Sequence, residues 1–458
     1  MAAGKGTRMK SAKPKVLHRL AGRGLLAHVL ESAAGLKPRR VVVITGHGAA
    51  EVADSARAFA TAAGLPGCDT VVQEPQLGTG HAVQQALPML PEDGVCLVLN
   101  GDVPLIESAT LQALVDACGG ERLALLTVEM PDPTGYGRIV REGGQVRAIV
   151  EHKDASDAQR QIREVYTGFM AAPNRLLRNW LGRLRPDNAQ GEYYLTDVVR
   201  LAVQDGQPVE AVACADRLQV DGVNSPLQLA GLERAFQRRL ADRLMEQGVR
   251  LADPARLDVR GRLSCGPDVE IDVNCVFEGE VVLGEGVRIG ANCFIANARI
   301  EAGAVIHPFT HIEGEQSGVE VGAGALVGPF ARLRPGARLG PQVHIGNFVE
   351  VKNSTLAEGA KANHLAYLGD AQVGERVNYG AGSITANYDG ANKHRTVIEA
   401  DVHVGSNCVL VAPVTLGAGG TIGGGSTISK DTPPGALSVA RGKQVTIPGW
   451  TRPQKKRG

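Results

Sequence analysis

The stretch that decides the fold is residues 321–351, VGAGALVGPFARLRPGARLGPQVHIGNFVEV. An apolar residue returns at every sixth position: Val321, Val327, Leu333, Leu339, Ile345 and Val351. This period fits neither the 3.6 of a helix nor the alternation of a simple strand. It is the mark of a hexapeptide β-solenoid, in which very short strands joined by tight corners wind into a prism. The ladder extends on both sides. Upstream stand Ile271, Phe277, Leu283, Ile289 and Ile295, then, slipped by one, Ile300, Ile306 and Ile312. Downstream stand Ile398, Val404, Leu410, Leu416, Ile422 and Ile428, after an expected interruption between Thr355 and Thr396. The residue after the ladder position is usually glycine, as at Gly322, Gly328, Gly340, Gly346 and Gly405, which suits corners with unusual backbone angles. The period alone leaves the handedness of the coil open.

Composition sets bounds on function. A chain of 458 residues is expected to hold two or three domains. Its net charge of +1 gives no reason to expect nucleic acid as a partner. No stretch approaches the roughly 20 apolar residues of a membrane span, and no signal peptide is expected at the N-terminus. The eight cysteines form no CxxC pair, and Cys275, Cys293 and Cys408 fall at a compact hexad position where packing explains them. The expectation is a soluble, reduced, cytoplasmic protein.

The N-terminal half alternates apolar runs with helical stretches. Val41–His47, Val95–Asp102 and Leu123–Met130 read as strands, with helices near Ala49–Ala63, Thr79–Leu90 and Ser108–Ala117. This predicts a doubly wound, Rossmann-like α/β sheet whose ligands bind at the carboxyl ends of strands, where Asp102 stands. After Gly137 the pattern is less regular, with a hairpin near Glu142–Gly144 and helices near Pro173–Leu184 and Thr196–Gln204. Leu227–Gln247 is a helix rich in Arg and Leu that connects to the solenoid. The expected division is therefore residues 1–224, a linker helix over 225–248, and residues 249–458. The chain ends in a basic tail with Trp450, Arg452, Lys455, Lys456 and Arg457.

The first candidate site opens the chain. Gly4 and Gly6 in MAAGKGTRM let backbone N–H groups approach a polyphosphate, and Arg8 and Lys15 can neutralise it. The spacing is not that of a Walker loop. A second glycine turn at residues 76–79 and a carboxylate in Gly101-Asp102-Val103-Pro104 add up to phosphoryl chemistry with Mg²⁺.

In order along the chain, GKGTRM with Pro14-Lys15, QLGTGHA, GDVPL, DPTGYGRI, EHKDA, QGEYYLTD and GVN resemble one bacterial bifunctional family. Its members join an N-acetylglucosamine-1-phosphate uridyltransferase to a glucosamine-1-phosphate N-acetyltransferase. The resemblance covers nearly the whole chain and implies a left-handed solenoid. It also implies that Ala2, Ala3, Gly4, Lys15, Gln73, Gly78, Thr79 and Gly101 bind the uridine nucleotide. Gly137, Glu151 and Tyr166 would face the sugar, and Asp102 and Asn224 would hold Mg²⁺. Arg8 and Lys15 would stabilise charge as the sugar phosphate displaces pyrophosphate from UTP. This sequence departs from the family at Asn100, usually Tyr, and at Tyr166, usually Asn. It also begins inside a motif that the family precedes with an apolar strand. Without that strand, neighbouring strands would be unpaired and apolar surface exposed.

The second candidate site lies on the ladder. Arg334 and Lys352 replace glycine after ladder residues and are 18 residues apart, one coil of a triangular prism. They should stack roughly 5 Å apart, which is unfavourable unless an anion sits between them. Ser406 and Gly424, with the same spacing, mark a second column, small enough to form a groove for a long ligand. His364 falls about a coil beyond the cations, with Glu350 close in sequence, and such a pair tunes a general base near neutral pH. The resemblance implies that His364 takes a proton from the acceptor amine, with Glu350 orienting it, and that the Ala381 N–H serves as oxyanion donor. Arg334, Lys352, Tyr367, Asn378, Asn387 and Tyr388 would hold the sugar phosphate. Ala381, Asn387, Tyr388, Ser406, Gly424 and Arg441 would contact acetyl-CoA.

The family's product, UDP-N-acetylglucosamine, feeds peptidoglycan, lipopolysaccharide and other cell-envelope polymers, and its members are cytoplasmic homotrimers with sites between neighbours. The expectation is a bifunctional enzyme. The alternative is an acetyltransferase alone, its uridyltransferase domain impaired by the lacking strand.

Overall fold

The computed structural model describes residues 1–65, 67–453 and 455, so Lys456 and Arg457 of the expected tail lie outside the described residues. The chain divides into two compact units, Met1–Phe236 and Gln237–Gly458. The division falls inside the helix Pro226–Glu246, close to the expected connector.

The first unit is built on strands β1 (Val41–Thr45), β2 (Cys68–Val72), β3 (Val95–Val98), β4 (Leu123–Glu129), β5 (Arg138–Glu142), β6 (Gln145–Val150), β7 (Glu164–Pro173) and β8 (Val209–Ala213). β4 reads as an unbroken apolar run because both of its faces are covered; six of its seven residues are buried. The sequence reading missed β2, β7 and β8, and of these β7 matters most to the sheet. It lies antiparallel to β3, β4 and β5 in the middle of a sheet ordered β8-β4-β7-β5-β6. Its sequence EVYTGFMAAP hides it, because Gly168 interrupts the run at a φ of 92° and burial on both faces removes any alternation. The sheet is thus mixed rather than purely parallel.

β1 pairs with β2, and β3 pairs with β7, but β1 and β3 do not pair with each other. Between them lies an apolar slot of about 390 Å³, lined among others by Val29, Leu30, Val41, Val43, Leu97 and Leu99. Met1 and Ala2 close its head: the Ala2 N–H donates to Ile44 O (2.7 Å), and the Gly101 N–H to Met1 O (2.9 Å). Ala2 bridges Thr45 in parallel. The start of the chain therefore already lies in strand register between β1 and β3, and its backward extension would run down the slot.

The second unit is a parallel solenoid of about ten coils. One face carries eleven strands in sequence order, from Arg250–Leu251 to Leu437–Ser438. The other two faces share a sixteen-strand sheet, since early strands such as Cys275–Leu283 bend through a corner without breaking. All the ladder residues point inward and are buried in one continuous core. Cys275, Cys293 and Cys408 are buried free thiols, and burial pushes the Cys275 thiol up to about 11 and the Cys293 thiol to about 12.

Two expectations are corrected here. The ladder is not interrupted at Thr355: Leu356, Ala362, Leu368, Val373, Tyr379 and Thr385 continue it, all buried. Ala362 pairs in register with Tyr379, so a small and a large side chain fill adjacent rungs, and the aliphatic pattern that marks the ladder is lost. Only the loop at residues 387–395 leaves the coil. The second correction concerns the corner glycines. Of the five corner glycines, Gly328 alone has the expected left-handed φ, at 101°; Gly322, Gly340, Gly346 and Gly405 have ordinary φ, and what excludes a side chain there is the next coil's backbone, 2.0 Å from a Cβ placed on Gly346 and 2.4 Å from one on Gly322. The left-handed φ falls two residues later, at Phe330, Gln342, Phe348 and Asn407.

Candidate functional sites

In the first unit, the glycine loop turns through Gly6, whose φ of 61° is left-handed, into a single turn at Thr7–Met9. Arg8 is exposed at its rim. The Lys15 ammonium reaches across to Asp102 in a short ion pair and donates to Asn224 Oδ1 at 3.1 Å. Asp102 follows β3, and its carbonyl accepts from the Val223 N–H (2.9 Å), which ties the GVN segment to the strand end. Three residues separated by up to 209 positions thus converge on one point. One carboxylate and one amide oxygen already share a cation there, the lysine's own. Such a sparse oxygen set suits Mg²⁺, which keeps several waters and takes other ligands from phosphates. Among the described residues no cluster of three or more His, Cys, Asp or Glu could hold a metal instead.

The remaining expected nucleotide contacts surround this point. Gln73 is buried and donates to Gly78 O at 2.8 Å. Gly78 has no room for a side chain, since Tyr193 O lies 2.6 Å from where its Cβ would be. The Thr79 hydroxyl is already committed, accepting from the Leu195 N–H at 3.0 Å. Gln76, which sequence reading passed over, holds Ala3 O through its amide.

Gly137 and Glu151 stand together, the carboxylate 3.5 Å from a Gly137 Cβ, with the Thr196 hydroxyl donating to Glu151 at 3.0 Å. Burial raises the Glu151 pKa, and the Thr196 bond opposes that rise. Thr196 was also passed over; it lies inside the QGEYYLTD motif, but nothing in its spacing points to Glu151. Tyr166 is buried, and among the described residues its hydroxyl has no hydrogen-bond partner. Asn100 packs against Gly168, whose missing Cβ would lie 2.1 Å from the amide nitrogen.

On the solenoid, the second face runs between two corners. One corner carries Arg334, Lys352 and Gly369 on successive coils, as the register Leu333–Val351–Leu368 requires, with Asp370 one residue further along. The face itself presents Arg332, Glu350 and Tyr367 outward in one column. Glu350 does not meet His364. Within the chain it accepts from Arg334 at 2.8 Å and lies 3.5 Å from Arg332. The group on His364 is Asn347, whose Oδ1 is 3.1 Å from Nδ1. An oxygen acceptor there puts the proton on Nδ1 and leaves Nε2 as the basic nitrogen. Asn347 sits one coil before His364 at the same corner, so the coil arithmetic that paired Arg334 with Lys352 could have found it.

That other corner also carries Ala381, Ser406 and Gly424 of the expected acetyl-CoA contacts. The Gly382 N–H donates to His364 O, the Asn407 N–H to Ala381 O and the Gly425 N–H to Ser406 O. His364, Ala381, Ser406 and Gly424 therefore form one column along the solenoid. Among the described residues nothing accepts from the Ala381 N–H. Arg441 closes onto the column, donating to Gly424 O at 2.7 Å. Asn387 bonds Asp370, while Tyr388 is exposed on its loop. Asn378 stands apart: it starts a strand of the first face and points outward there. Lys393 of the loop, which sequence reading missed, lowers the Lys352 pKa, together with burial and Arg334.

An α/β sheet with a glycine loop and an Asp–Asn oxygen pair is the arrangement of a nucleotide-handling domain, and a parallel hexapeptide solenoid with a cationic corner and an exposed histidine is compatible with acyl transfer; similarity to known proteins gives the class. Residues 1–167 match the model of the MobA-like NTP transferase domain. The whole chain is similar to proteins called bifunctional protein GlmU. It is 71% identical over 459 residues to that of Albidiferax ferrireducens, covering 99% of each chain. It is 73% identical over 463 residues to that of Polaromonas naphthalenivorans, covering all of this chain and 98% of the relative. It is 58% identical over 458 residues to that of an Azoarcus species, covering all of this chain and 99% of the relative. The chain belongs to the bifunctional GlmU family and is an enzyme with uridyltransferase and acetyltransferase activity. These full-length matches lend no support to the acetyltransferase-only alternative. No helix among the described residues is long and apolar enough to cross a membrane.

Proposed function

We propose that the solenoid transfers acetyl from acetyl-CoA to the amine of glucosamine-1-phosphate, and that the first unit then joins N-acetylglucosamine-1-phosphate to the uridylyl group of UTP, releasing pyrophosphate. The observation that carries this reading is the pairing of a basic corner, Arg334–Lys352, with a histidine column on the adjoining corner of one face. The cations take the sugar phosphate, which turns the amine toward the His364 corner. His364 Nε2 removes an amine proton as the nitrogen attacks the thioester carbonyl and the Ala381 N–H receives the developing oxyanion; the adduct then collapses, the C–S bond breaks, and CoA leaves as the thiolate, which takes the proton from His364. The column Ser406–Gly424–Arg441 leaves a groove for CoA.

In the first unit, Asp102 and Asn224 would hold Mg²⁺, which when bound supplies charge neutralisation to the triphosphate. Lys15 is then free to turn from Asp102 toward the phosphates, with Arg8 at the rim. Gly137, Glu151 and Tyr166 hold the sugar while its phosphate attacks in line. The enzyme works as a homotrimer in the cytoplasm. Asn378 and the Arg334–Lys352 corner lie on different faces of one prism, so a shared acceptor site needs two chains. An exposed column of Phe309, Phe330 and Phe348, with ring centroids 5.0 and 5.4 Å apart, runs up the same corner to Leu365 and His364 and offers the contact surface.

The test is one incubation of the purified chain with glucosamine-1-phosphate, acetyl-CoA, UTP and Mg²⁺, read by mass spectrometry. UDP-N-acetylglucosamine is the expected product. Accumulation of N-acetylglucosamine-1-phosphate alone would refute the uridylyl step, and neither product would refute both.

A further inference from the structure

Arg138 opens β5, within the DPTGYGRI motif, and is only 1% exposed. Its hydrogen-bond partners among the described residues are two carbonyls and an imidazole, with no carboxylate. Its Nε–H is buried and has no partner among them. Burial lowers its pKa more than the charge of Asp132 raises it, and Arg160 adds to the lowering. A cation so placed is costly to bury and contributes little to the stability of the fold. What it does is join two segments. One terminal nitrogen donates to Tyr136 O, on the peptide that carries the Gly137 N–H. That peptide is planar, so holding its carbonyl aims the N–H the opposite way, and among the described residues no carbonyl takes it. The other terminal nitrogen is 3.2 Å from His152 Nδ1 and 3.5 Å from Arg160 O. A guanidinium only donates, so Nδ1 accepts and the ring proton sits on Nε2. His152 follows Glu151 directly, and the Glu151 carboxylate lies 3.5 Å from where a Gly137 Cβ would stand.

We propose that Arg138 is a positioning residue for uridylyl transfer, a buried strut that fixes the Gly137 peptide and the Glu151 turn at one spacing and so sets the grip on the sugar of N-acetylglucosamine-1-phosphate. The inference rests on the reading of Gly137 and Glu151 as sugar contacts. The strut has a firm root: Arg138 pairs with Val150 of β6 on one side and with Val165 of β7 on the other. Its guanidinium is planar and rigid, so a fixed root fixes both of its contacts at once. The Gly137 N–H and the Glu151 carboxylate then stand side by side, a donor and an acceptor, before any ligand arrives. The sugar does not have to order them. A lysine ammonium, a point charge without the fork, could serve one of these contacts but not span both.

The experiment uses the full-length enzyme, measuring kcat, KM for N-acetylglucosamine-1-phosphate and for UTP, the melting temperature, and acetyl transfer as an internal control. Arg138→Met, unbranched and uncharged, is expected to lower kcat/KM for the sugar phosphate about 10–100-fold, chiefly through KM. The UTP KM and acetyl transfer should be little changed. The melting temperature should stay level or rise, because a buried charge without a counter-ion has been removed. Arg138→Lys should fall between the two. His152→Ala should raise the sugar-phosphate KM several-fold. His152→Asn, whose amide oxygen can stand where Nδ1 stood, should restore most of it, whereas His152→Gln, whose oxygen reaches the Nε2 position, should not. In the Arg138→Met background His152→Ala should add almost nothing, because the ring acts only through the strut. The proposal is overturned if both single variants leave the sugar-phosphate KM unchanged, if their effects add fully, or if Arg138→Met lowers the melting temperature and raises both KM values together. If Arg138→Met fails to fold, the His152 series decides: loss in Ala with rescue by Asn upholds the strut, and any other pattern overturns it. Glu151→Ala separates the two levels. An unchanged sugar-phosphate KM there would remove the reading of the sugar site itself, whereas a raised one with insensitive Arg138 and His152 variants would remove only the strut.

Discussion

Replacing His364 by alanine will lower acetyl transfer about 10²–10⁴-fold and leave uridylyl transfer unchanged. Only the unprotonated amine has the lone pair that attacks the thioester, and as the C–N bond forms the nitrogen becomes cationic, so a base must take one of its protons. His364 is exposed at a corner with Asn347 fixing one ring nitrogen, so Nε2 is free for that task. Because its side chain is outside the core, the substitution opens no cavity and the melting temperature should move by less than about 0.5 kcal/mol equivalent. Asn347→Ala should cost less, since it releases the ring without removing the base, and should also shift the pH profile of the reaction. Loss of both activities in His364→Ala would refute the two-site arrangement. Full retention of acetyl transfer would place the base elsewhere.

The second large effect is expected at Asp102. Asp102→Asn keeps the shape but removes the negative charge that now holds Lys15. Metal stabilisation of transferring phosphoryl groups is worth several kcal/mol, so uridylyl transfer should fall roughly 10²–10³-fold, with acetyl transfer intact. Raising the Mg²⁺ concentration should recover part of the loss if the residue acts by holding the ion. An activity insensitive to the substitution would show that the strand-end carboxylate takes no part. Asn224→Ala, which removes the neutral oxygen, should have the same sign and a smaller size.

Each site was legible to a different degree, for a physical reason. On the solenoid, sequence distance converts into space: residues about one coil apart stack, so Arg334 lies under Lys352 and Ser406 under Gly424 without any knowledge of coordinates. The same rule contains Asn347, which was overlooked because proximity in sequence to His364 was credited to Glu350 instead. In the first unit no such rule exists. Lys15, Asp102 and Asn224 are joined across the chain by the order of strands, and motifs could suggest each one but not their convergence. Thr196 on Glu151 and Gln76 on Ala3 were invisible for the same reason.

The sequence by itself determined that an apolar residue every sixth position winds a prism, that its corners are crowded by glycine, and that the other half alternates strands and helices around glycine loops. These are local and repeated signals, and repetition makes them robust. Only the tertiary structure decided that β7 stands in the middle of the sheet, that a strand-wide slot separates β1 from β3, that Glu350 bonds Arg334 within the chain, and that the loop at residues 387–395 is anchored through Asn387 on Asp370. Each of these depends on which distant backbone edges pair and where an inserted loop comes to rest. Such pairings are set by the packing of the whole unit rather than by any short stretch of chain.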